Sequence, residues 1–356
     1  MKTEGLSARA VGLTFAGCFL GVGCMSGQEV WQFFGRFGVP GCIGMLAAVT
    51  GLALFNLLII RLVSKSADAR IDHIAVSSGN RVLCALVGAL EVLVFFGTYV
   101  VTASGAGALF ESLVGIPGAH YIGAGLFCVI LSFIAVKGIR GVVGLFSYAV
   151  PPLVLLAFLV SVITLIRTGD SFSFTLPPVE RHPLIPNAPL GALTFMSYNL
   201  FCSIGVLCPV GLQVKNRKAA IGGTIFGSVL LLVEMTSVIF ALVAMPQAAS
   251  SELPMLAVAG RLSPALGSVY AFLLFFSMAG ASLACLVPTV TYLAEHIPCA
   301  ERHGAMTIFA VSAAAFVLSC FGFADLVATV FSFLGYLALV PLFGILRKGW
   351  KSRRDN

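Results

Sequence analysis

The sequence predicts an all-α integral membrane protein of ten transmembrane helices, arranged as two inverted sets of five, with helices 1 and 6 discontinuous. Three observations lead there. Apolar residues make up 59% of the 356-residue chain and charged residues only 10%, whereas soluble domains carry about 25% charge. The mean hydropathy is +1.05. Finally, two of the apolar runs are broken by clustered glycine and polar residues, which lipid does not tolerate unless the break lines an enclosed or watery cavity.

The spans fall at approximately 9–35, 39–61, 80–108, 119–136, 140–167, 189–213, 218–244, 264–295, 304–321 and 324–346, near the ~20 residues that a bilayer core requires. The chain is read as one transmembrane domain over 1–356, because the short connections leave little room for a separate soluble one. The longest loop, 168–188, is rich in Pro, Ser and Thr, and 246–263 contains Ser251-Glu252-Leu253-Pro254 in a stretch suited to a short helix. The first apolar run leads directly into the first break without a small-residue cleavage site, so no cleavable signal peptide is expected.

Sidedness follows from the basic residues. Of 21 Lys and Arg, all but Arg36, Arg167, Arg181 and Arg261 fall on one side of the alternating loops, which makes that side cytoplasmic. Both termini share it, and a cytoplasmic-membrane location follows. The net charge of +7 is divided among short inter-span clusters, so no basic stripe exists for nucleic acid. The patch at Arg347–Arg354 suits anionic lipid instead. Nine of the ten cysteines lie within spans, only Cys299 lies clearly in a loop, and no CxxC occurs. They read as small buried thiols.

The first break reads Phe15-Ala16-Gly17-Cys18-Phe19-Leu20-Gly21-Val22-Gly23-Cys24-Met25-Ser26-Gly27-Gln28-Glu29, and the second lies in Ser197-Tyr198-Asn199-Leu200-Phe201-Cys202-Ser203-Ile204-Gly205-Val206-Leu207-Cys208-Pro209. They occupy spans 1 and 6. Ten spans divide as five plus five, approximately 9–167 and 189–346, and an odd number per half inverts the second half. Paired breaks of this kind mark the central site of a secondary transporter. Unwinding at Gly21–Gly27 exposes backbone groups. The half-helix starting near Ser26 presents a partial positive charge to a substrate carboxylate. Carbonyls near Leu20 to Val22 can bind a cation or an ammonium group, and Cys202 to Gly205 offers the same groups from the other half. Candidate substrate contacts are thus Gly21, Gly23, Cys24, Ser26, Gly27, Asn199, Cys202, Ser203 and Gly205. The competing reading of the glycines is a helix-packing seam, and Tyr198 serves equally as a wall.

Three carboxylates lie within spans, Glu29, Glu91 and Glu234, and no Lys or Arg lies deep in any span. Intramembrane acids are costly and therefore functional candidates. Without a counter-charge they favour the neutral form, which suits proton coupling or a cation supplied from outside. Glu29, with Gln28 beside it, is the first choice for coupling or gating, since it stands three residues from Ser26 on nearly the same face. Glu91 is the second, continued by Thr98 and Thr102 along one stripe. Glu234, near Thr236 and Ser237, reads as structural.

The run Gly21-Val22-Gly23-Cys24-Met25-Ser26-Gly27-Gln28-Glu29-Val30-Trp31-Gln32-Phe33-Phe34 resembles the first-helix signature of the YkvI-like membrane proteins. The whole chain resembles the LeuT-type fold of the amino acid–polyamine–organocation superfamily in length and span count. The resemblance implies a ten-helix carrier of amino acids or other small nitrogenous solutes, driven by sodium or protons. It also implies a lining role for Tyr99, against which stands a purely hydrophobic one. It further implies a sodium site joining span 1 carbonyls, here Leu20 and Val22, to two adjacent hydroxyls of span 8. The matching stretch, Met278-Ala279-Gly280-Ala281-Ser282-Leu283, supplies only Ser282. The Lys that some proton-coupled relatives carry in span 5 is absent between Gly141 and Ile166.

The sequence reading is therefore an alternating-access carrier of a small amino acid or related zwitterion, coupled to H+ or Na+, with no cofactor. The bilayer and the solute are the partners expected, and no protein partner is identified. A solute-sensing receptor subunit without net transport is the alternative, and stoichiometric binding without flux discriminates it. A channel would show non-saturable flux. A metal-ion carrier would use Cys24, Met25, Cys202, Cys208 and Met278 as soft ligands, but the Asp-Pro-Gly-Asn of metal-carrying members of this fold is absent from span 1. An enzyme is not expected, because the loops hold no phosphate-binding glycine motif, HExxH or nucleophile elbow.

Overall fold

The computed structural model describes residues 6–66, 81–137, 142–169 and 182–354. Most of the long loop expected at 168–188 lies outside these residues, as do Lys2, Arg70, Arg140 and Arg181. The described chain is almost wholly helical. In order it comprises α1 (Ala8–Phe19), α2 (Val22–Ser26), α3 (Gln28–Phe33), a 3-10 turn (Gly35–Phe37), α4 (Val39–Ser66), α5 (Arg81–Val114), α6 (Ala119–Lys137), α7 (Val142–Thr168) and α8 (Ala188–Gln213). There follow α9 (Arg217–Ala244), α10 (Pro246–Ala249), α11 (Pro254–Leu262), α12 (Pro264–His296), α13 (Pro298–Arg302), α14 (Gly304–Ser319), α15 (Phe323–Leu326), a π-helical segment (Val327–Phe331) and α16 (Ser332–Arg354).

Among the described residues, eight helices are long and apolar enough to cross a membrane, while Ala8–Phe19 and Gly304–Ser319 are shorter apolar helices. Large apolar side chains such as Leu54, Phe133, Leu155, Val229, Phe272 and Phe343 are exposed on the outer faces of long helices. Water would penalise such a surface and lipid does not, so the chain is a multi-pass membrane protein.

Local signals set the helix ends. Ser7, Asn187 and Asn216 cap α1, α8 and α9 by accepting from the amides of Ala10, Leu190 and Ala219, which satisfies donors that the first turn leaves free. Pro254 and Pro264 stand at the starts of α11 and α12, where a missing N–H costs nothing. The stretch 246–263 thus holds two short helices, and Ser251-Glu252-Leu253 connects them rather than forming one. Leu6 pairs with Val214 in an isolated bridge, so the start of the chain and the α8–α9 connection share one face, as the expected alternation of spans requires.

Small residues let α1 lie tightly along α9. A Cβ on Gly12 would come within 2.6 Å of the Gly223 carbonyl, and one on Gly223 within 2.6 Å of the Ala8 carbonyl. This close approach is the membrane substitute for a hydrophobic driving force. The packing-seam reading therefore applies to Gly12, Gly223 and Gly227, outside the break.

The expected interruption of span 6 is not present: α8 runs unbroken through Cys202, Ser203 and Gly205. The physical difference lies in the backbone. Span 1 contains Gly27 in the left-handed region at φ 84°, whereas no glycine of α8 has a positive φ. A single Gly205 with Pro209 four residues on leaves the rest of the ladder intact. Ser203 spends its hydroxyl on the Leu200 carbonyl of the same helix, at 2.9 Å. Of the two helices expected to be discontinuous, helix 1 is and helix 6 is not.

Candidate functional site

The interruption of span 1 consists of two sharp bends flanking one helical turn, not an unwound stretch from Gly21 to Gly27. α1 ends at Leu20 (ψ 52°), Gly21 is extended, α2 makes a turn, and Gly27 reverses the chain into α3. The amide of Met25 donates to the Gly21 carbonyl, Gly27 to Cys24 and Trp31 to Gly27, at 2.9–3.0 Å. Ser26 donates to the Gly23 carbonyl at 2.9 Å and its oxygen lies 3.3 Å from the amide of Gln28. Ser26 is thus a local cap that holds the corner. The Met25 carbonyl is taken by the Tyr270 hydroxyl from α12. Gly27 is required twice over, since a Cβ there would also stand 2.8 Å from Met255 Cγ of α11.

The half-helix expected to start near Ser26 starts at Gln28 and is six residues long. Its first turn already contains a negative group, Glu29. The carboxylate folds back onto Gly23, where any Cβ would overlap its Oε2 atom. Its other oxygen accepts a hydrogen bond from Asn199 Nδ2 of α8, at 3.2 Å, and that amide also donates to the Phe195 carbonyl at 3.1 Å. Glu29 is 4% exposed and Asn199 7%, so a buried carboxyl at the bend is held by a neutral amide from span 6. Gln28 Oε1, beside it, is buried and has no hydrogen-bond partner among the described residues.

An aromatic cluster packs alongside. Tyr198 stacks on Phe331 of the π-helical segment, with ring centroids 4.7 Å apart and 14° between planes, and Phe33 and Phe195 lie within 6.0 Å of it. The Tyr198 hydroxyl is buried without a partner among the described residues. Tyr198 is therefore a wall of this region, and π-bulges of this kind recur at functional sites.

The remaining candidates separate. Gly21, Gly23, Cys24 and Gly27 form the bend with Leu20 and Val22, all buried except the half-buried Gly21. Cys202 faces Thr98 of α5, with Sγ 3.9 Å from Oγ1. Glu91 Oε1 would lie 3.8 Å from a Cβ on Gly205, which joins span 3 to span 6. Tyr99 does not supply a hydroxyl to the bend: its OH donates to Ser312 of α14 at 3.1 Å. Ser282 donates to Thr102 of α5 at 2.8 Å, and Thr102 donates to the Thr98 and Tyr99 carbonyls. Ser277, five residues before Ser282 on α12, has a buried hydroxyl without a partner among the described residues. Among the described residues no group of three or more His, Cys, Asp or Glu is arranged to hold a metal ion.

Sequence reasoning missed three elements. Tyr270 clamps the Met25 carbonyl, and its only signal was a tyrosine in an apolar span. Met255 of α11 fills the corner at Gly27. At the mouth of α3, Arg36 donates to Gln32 Oε1 (2.7 Å) and to the Ile185 carbonyl (3.1 Å) and lies over Phe37. Burial lowers its pKa to about 10. His182 accepts from the Leu184 amide through Nδ1, so its Nε2–H faces Thr329 of the π-helical segment at 3.3 Å. Burial, then the charge of Arg36, lowers its pKa, against an opposing pull from Asp325. A separate cavity of about 430 Å3 opens beside Glu111, His120 and Glu252 and includes none of the residues of the bend. Both of its carboxylates cap helix starts, accepting from the amides of His120 and Ala324.

Known proteins sharpen the picture. No family model matches the sequence. The chain is 24% identical over 358 residues to the uncharacterized membrane protein YkvI of Bacillus subtilis (strain 168), covering 98% of each. It is 24% identical over 362 residues to the uncharacterized protein YyaD of the same organism, covering 95% of this chain and 97% of YyaD. Among solved structures, it is similar to MhsT in complex with L-phenylalanine, with a TM-score of 0.63 and 15% identity, over 97% of this chain and 88% of that one. It is also similar to a Na+-coupled sialic acid symporter in its substrate-bound outward-open state (0.61, 14%, covering 97% and 78%) and to Mhp1 in its inward-facing conformation (0.62, 16%, covering 96% and 76%). These neighbours are transporters rather than enzymes. A bent first helix pinned to an unbroken sixth is thus set in a fold shared with LeuT-type transporters, and the chain is a homologue of the YkvI and YyaD membrane proteins.

Proposed function

We propose that this protein is a secondary transporter of a small solute, coupled to a cation, in which ten spans form two inverted sets of five and the bent first helix is the element that alternates access. The observation that carries the reading is the buried Glu29 at the bend, held by Asn199 from span 6. A carboxyl at a helix interruption, secured by a neutral partner, has room in its chemistry for a proton, a metal cation or an ammonium group. The fold shared with transporters supports it.

The substrate is a small amino acid or related zwitterion. Because Glu29 occupies the first turn of α3, its charge disfavours a substrate carboxylate there and favours the ammonium end. The carboxylate end then belongs on the opposite side of the bend. Proton coupling fits Glu29 itself. Sodium coupling would use the Leu20 and Val22 carbonyls with Ser282, whose hydroxyl hydrogen is already given to Thr102 and whose oxygen still has acceptor capacity. The termini lie in the cytoplasm and the host bilayer is the cytoplasmic membrane.

The test is thermal stability of the purified protein against an amino-acid and amine panel, with and without sodium, at two pH values. A bound solute at 100 times its Kd adds about 2.7 kcal/mol. A sodium-dependent shift supports the Ser282 site, and a pH-dependent, sodium-indifferent shift supports Glu29. Absence of a shift with every amino acid and amine overturns the substrate class. Binding without flux in vesicles replaces the carrier with a sensor.

A further inference from the structure

Glu234 sits within α9, 1% exposed, and its Oε1 has no hydrogen-bond partner among the described residues. Its neighbour Ser237 donates to the Glu234 backbone carbonyl rather than to that oxygen. A buried acid without a partner is expensive, and a purely structural role does not repay that cost. The packing register shows where it points. α1 and α9 meet at Gly12 against Gly223 and at Phe15 against Gly227. α1 ends four residues past Phe15, at Phe19, while Glu234 lies seven past Gly227, so that register carries Glu234 beyond the end of α1, at the bend's end of the seam.

The groups facing it agree. The Cys24 thiol of α2 is within electrostatic reach of both Glu29 and Glu234. The Tyr270 phenol of α12, which holds the Met25 carbonyl, is within reach of Glu234 as well. On the other packed elements, Arg9 belongs to the first turn of α1, at the opposite end of the seam from the bend. The other titratable groups on the elements packed against α9 are Cys18 of α1, Cys42 and Arg61 of α4, Arg167 of α7, Arg261 of α11 and Arg36 of the 3-10 turn. Two buried carboxyls therefore stand near the bend, Glu29 folded onto Gly23 of α2 and Glu234 on α9 past the end of α1.

We propose that Glu234 is a second proton-binding site, set behind the bent helix, whose O–H bond forms with a proton taken from water and breaks to return it as the bend rearranges. A sodium ion would need several converging oxygens, whereas a proton needs the one free oxygen that is present. The proposal draws on the coupled-carrier reading only for the purpose of the proton; the site itself is tested without any solute.

Infrared spectra of the purified full-length protein, recorded from about pH 5 to about pH 10, read the carbonyl stretch of protonated carboxyls and its shift in D2O. The expected result is a band that fades reversibly as pH rises, is lost in Glu234→Gln and persists in Glu29→Gln. Should Glu234→Gln fail to fold, Glu234→Asp keeps the carboxyl and is expected to move the band rather than remove it. A Glu234→Gln spectrum identical to wild type, an Asp variant that leaves the band unmoved, or a Glu234 band constant across the whole range overturns the proposal. Transport through Glu29 alone survives each of those outcomes, so the two readings fail separately.

Discussion

Gly23→Ala isolates the contact on which the site depends. The new methyl would overlap Oε2 of Glu29 and stand 3.1 Å from its Cβ and 3.3 Å from its Cδ. The Cβ atom cannot swing away, so the carboxylate must leave its position and with it the Asn199 hydrogen bond. Overpacking costs about 1–3 kcal/mol and a hydrogen bond to a charged group about 1.5–3 kcal/mol. Alanine returns about 0.5–1 kcal/mol within a helical turn. The net loss is about 2–5 kcal/mol, read by thermal or denaturant unfolding in detergent. Gly17→Ala on α1, where a Cβ meets nothing within 4 Å, should instead be neutral or stabilising by up to about 1 kcal/mol. In a Glu29→Ala background, which removes the carboxylate but keeps the Cβ 3.1 Å away, the Gly23→Ala cost should shrink, a coupling of about 0.5–3 kcal/mol. Equal costs in the two backgrounds would refute the back-folded carboxylate.

Two further outcomes follow from the same geometry. Asn199→Leu keeps the volume but removes the donor to Glu29, so it should cost about 1.5–3 kcal/mol in unfolding free energy and weaken binding of any amine that stabilises the wild type. His182 titrates below its ordinary 6.5 because of burial and the Arg36 charge, so the unfolded chain binds its proton first as pH falls. The stability that neutral His182 contributes is complete above 6.5 and is lost as pH drops toward the folded value. Unfolding midpoints across that window should fall in the wild type and fall less in His182→Gln.

How much of this was legible in the sequence depends on what each residue required. The helices were, because apolar runs bounded by Asn187, Asn216, Pro254 and Pro264 carry both length and end signals. The bend was, because Gly27 must be glycine at φ 84° and Gly21 and Gly23 crowd the same turn. The pairing of spans 1 and 6 was foreseen, and Asn199 does reach Glu29, but through an intact α8. A lone Gly205 ahead of Pro209 looks like a break in one dimension, yet costs a membrane helix only one ladder bond. Side-chain directions were not legible. Tyr99 and Tyr270 are both tyrosines in apolar spans, and only packing sends one to Ser312 and the other to Met25. Glu234 read as structural because Thr236 and Ser237 flank it, while the register that turns it toward the bend is set by Gly12, Gly223 and Gly227, far along the chain.

The central claim is that Glu29 couples solute movement to a cation. Its most direct test is uptake into proteoliposomes of whichever amino acid or amine stabilises the protein, driven by a pH or sodium gradient, in wild type and Glu29→Gln. The account predicts saturable, gradient-driven accumulation in the wild type, abolished or uncoupled from the gradient in a Glu29→Gln protein that is still produced at the wild-type level. Accumulation that keeps its wild-type gradient dependence without the Glu29 carboxyl would contradict it.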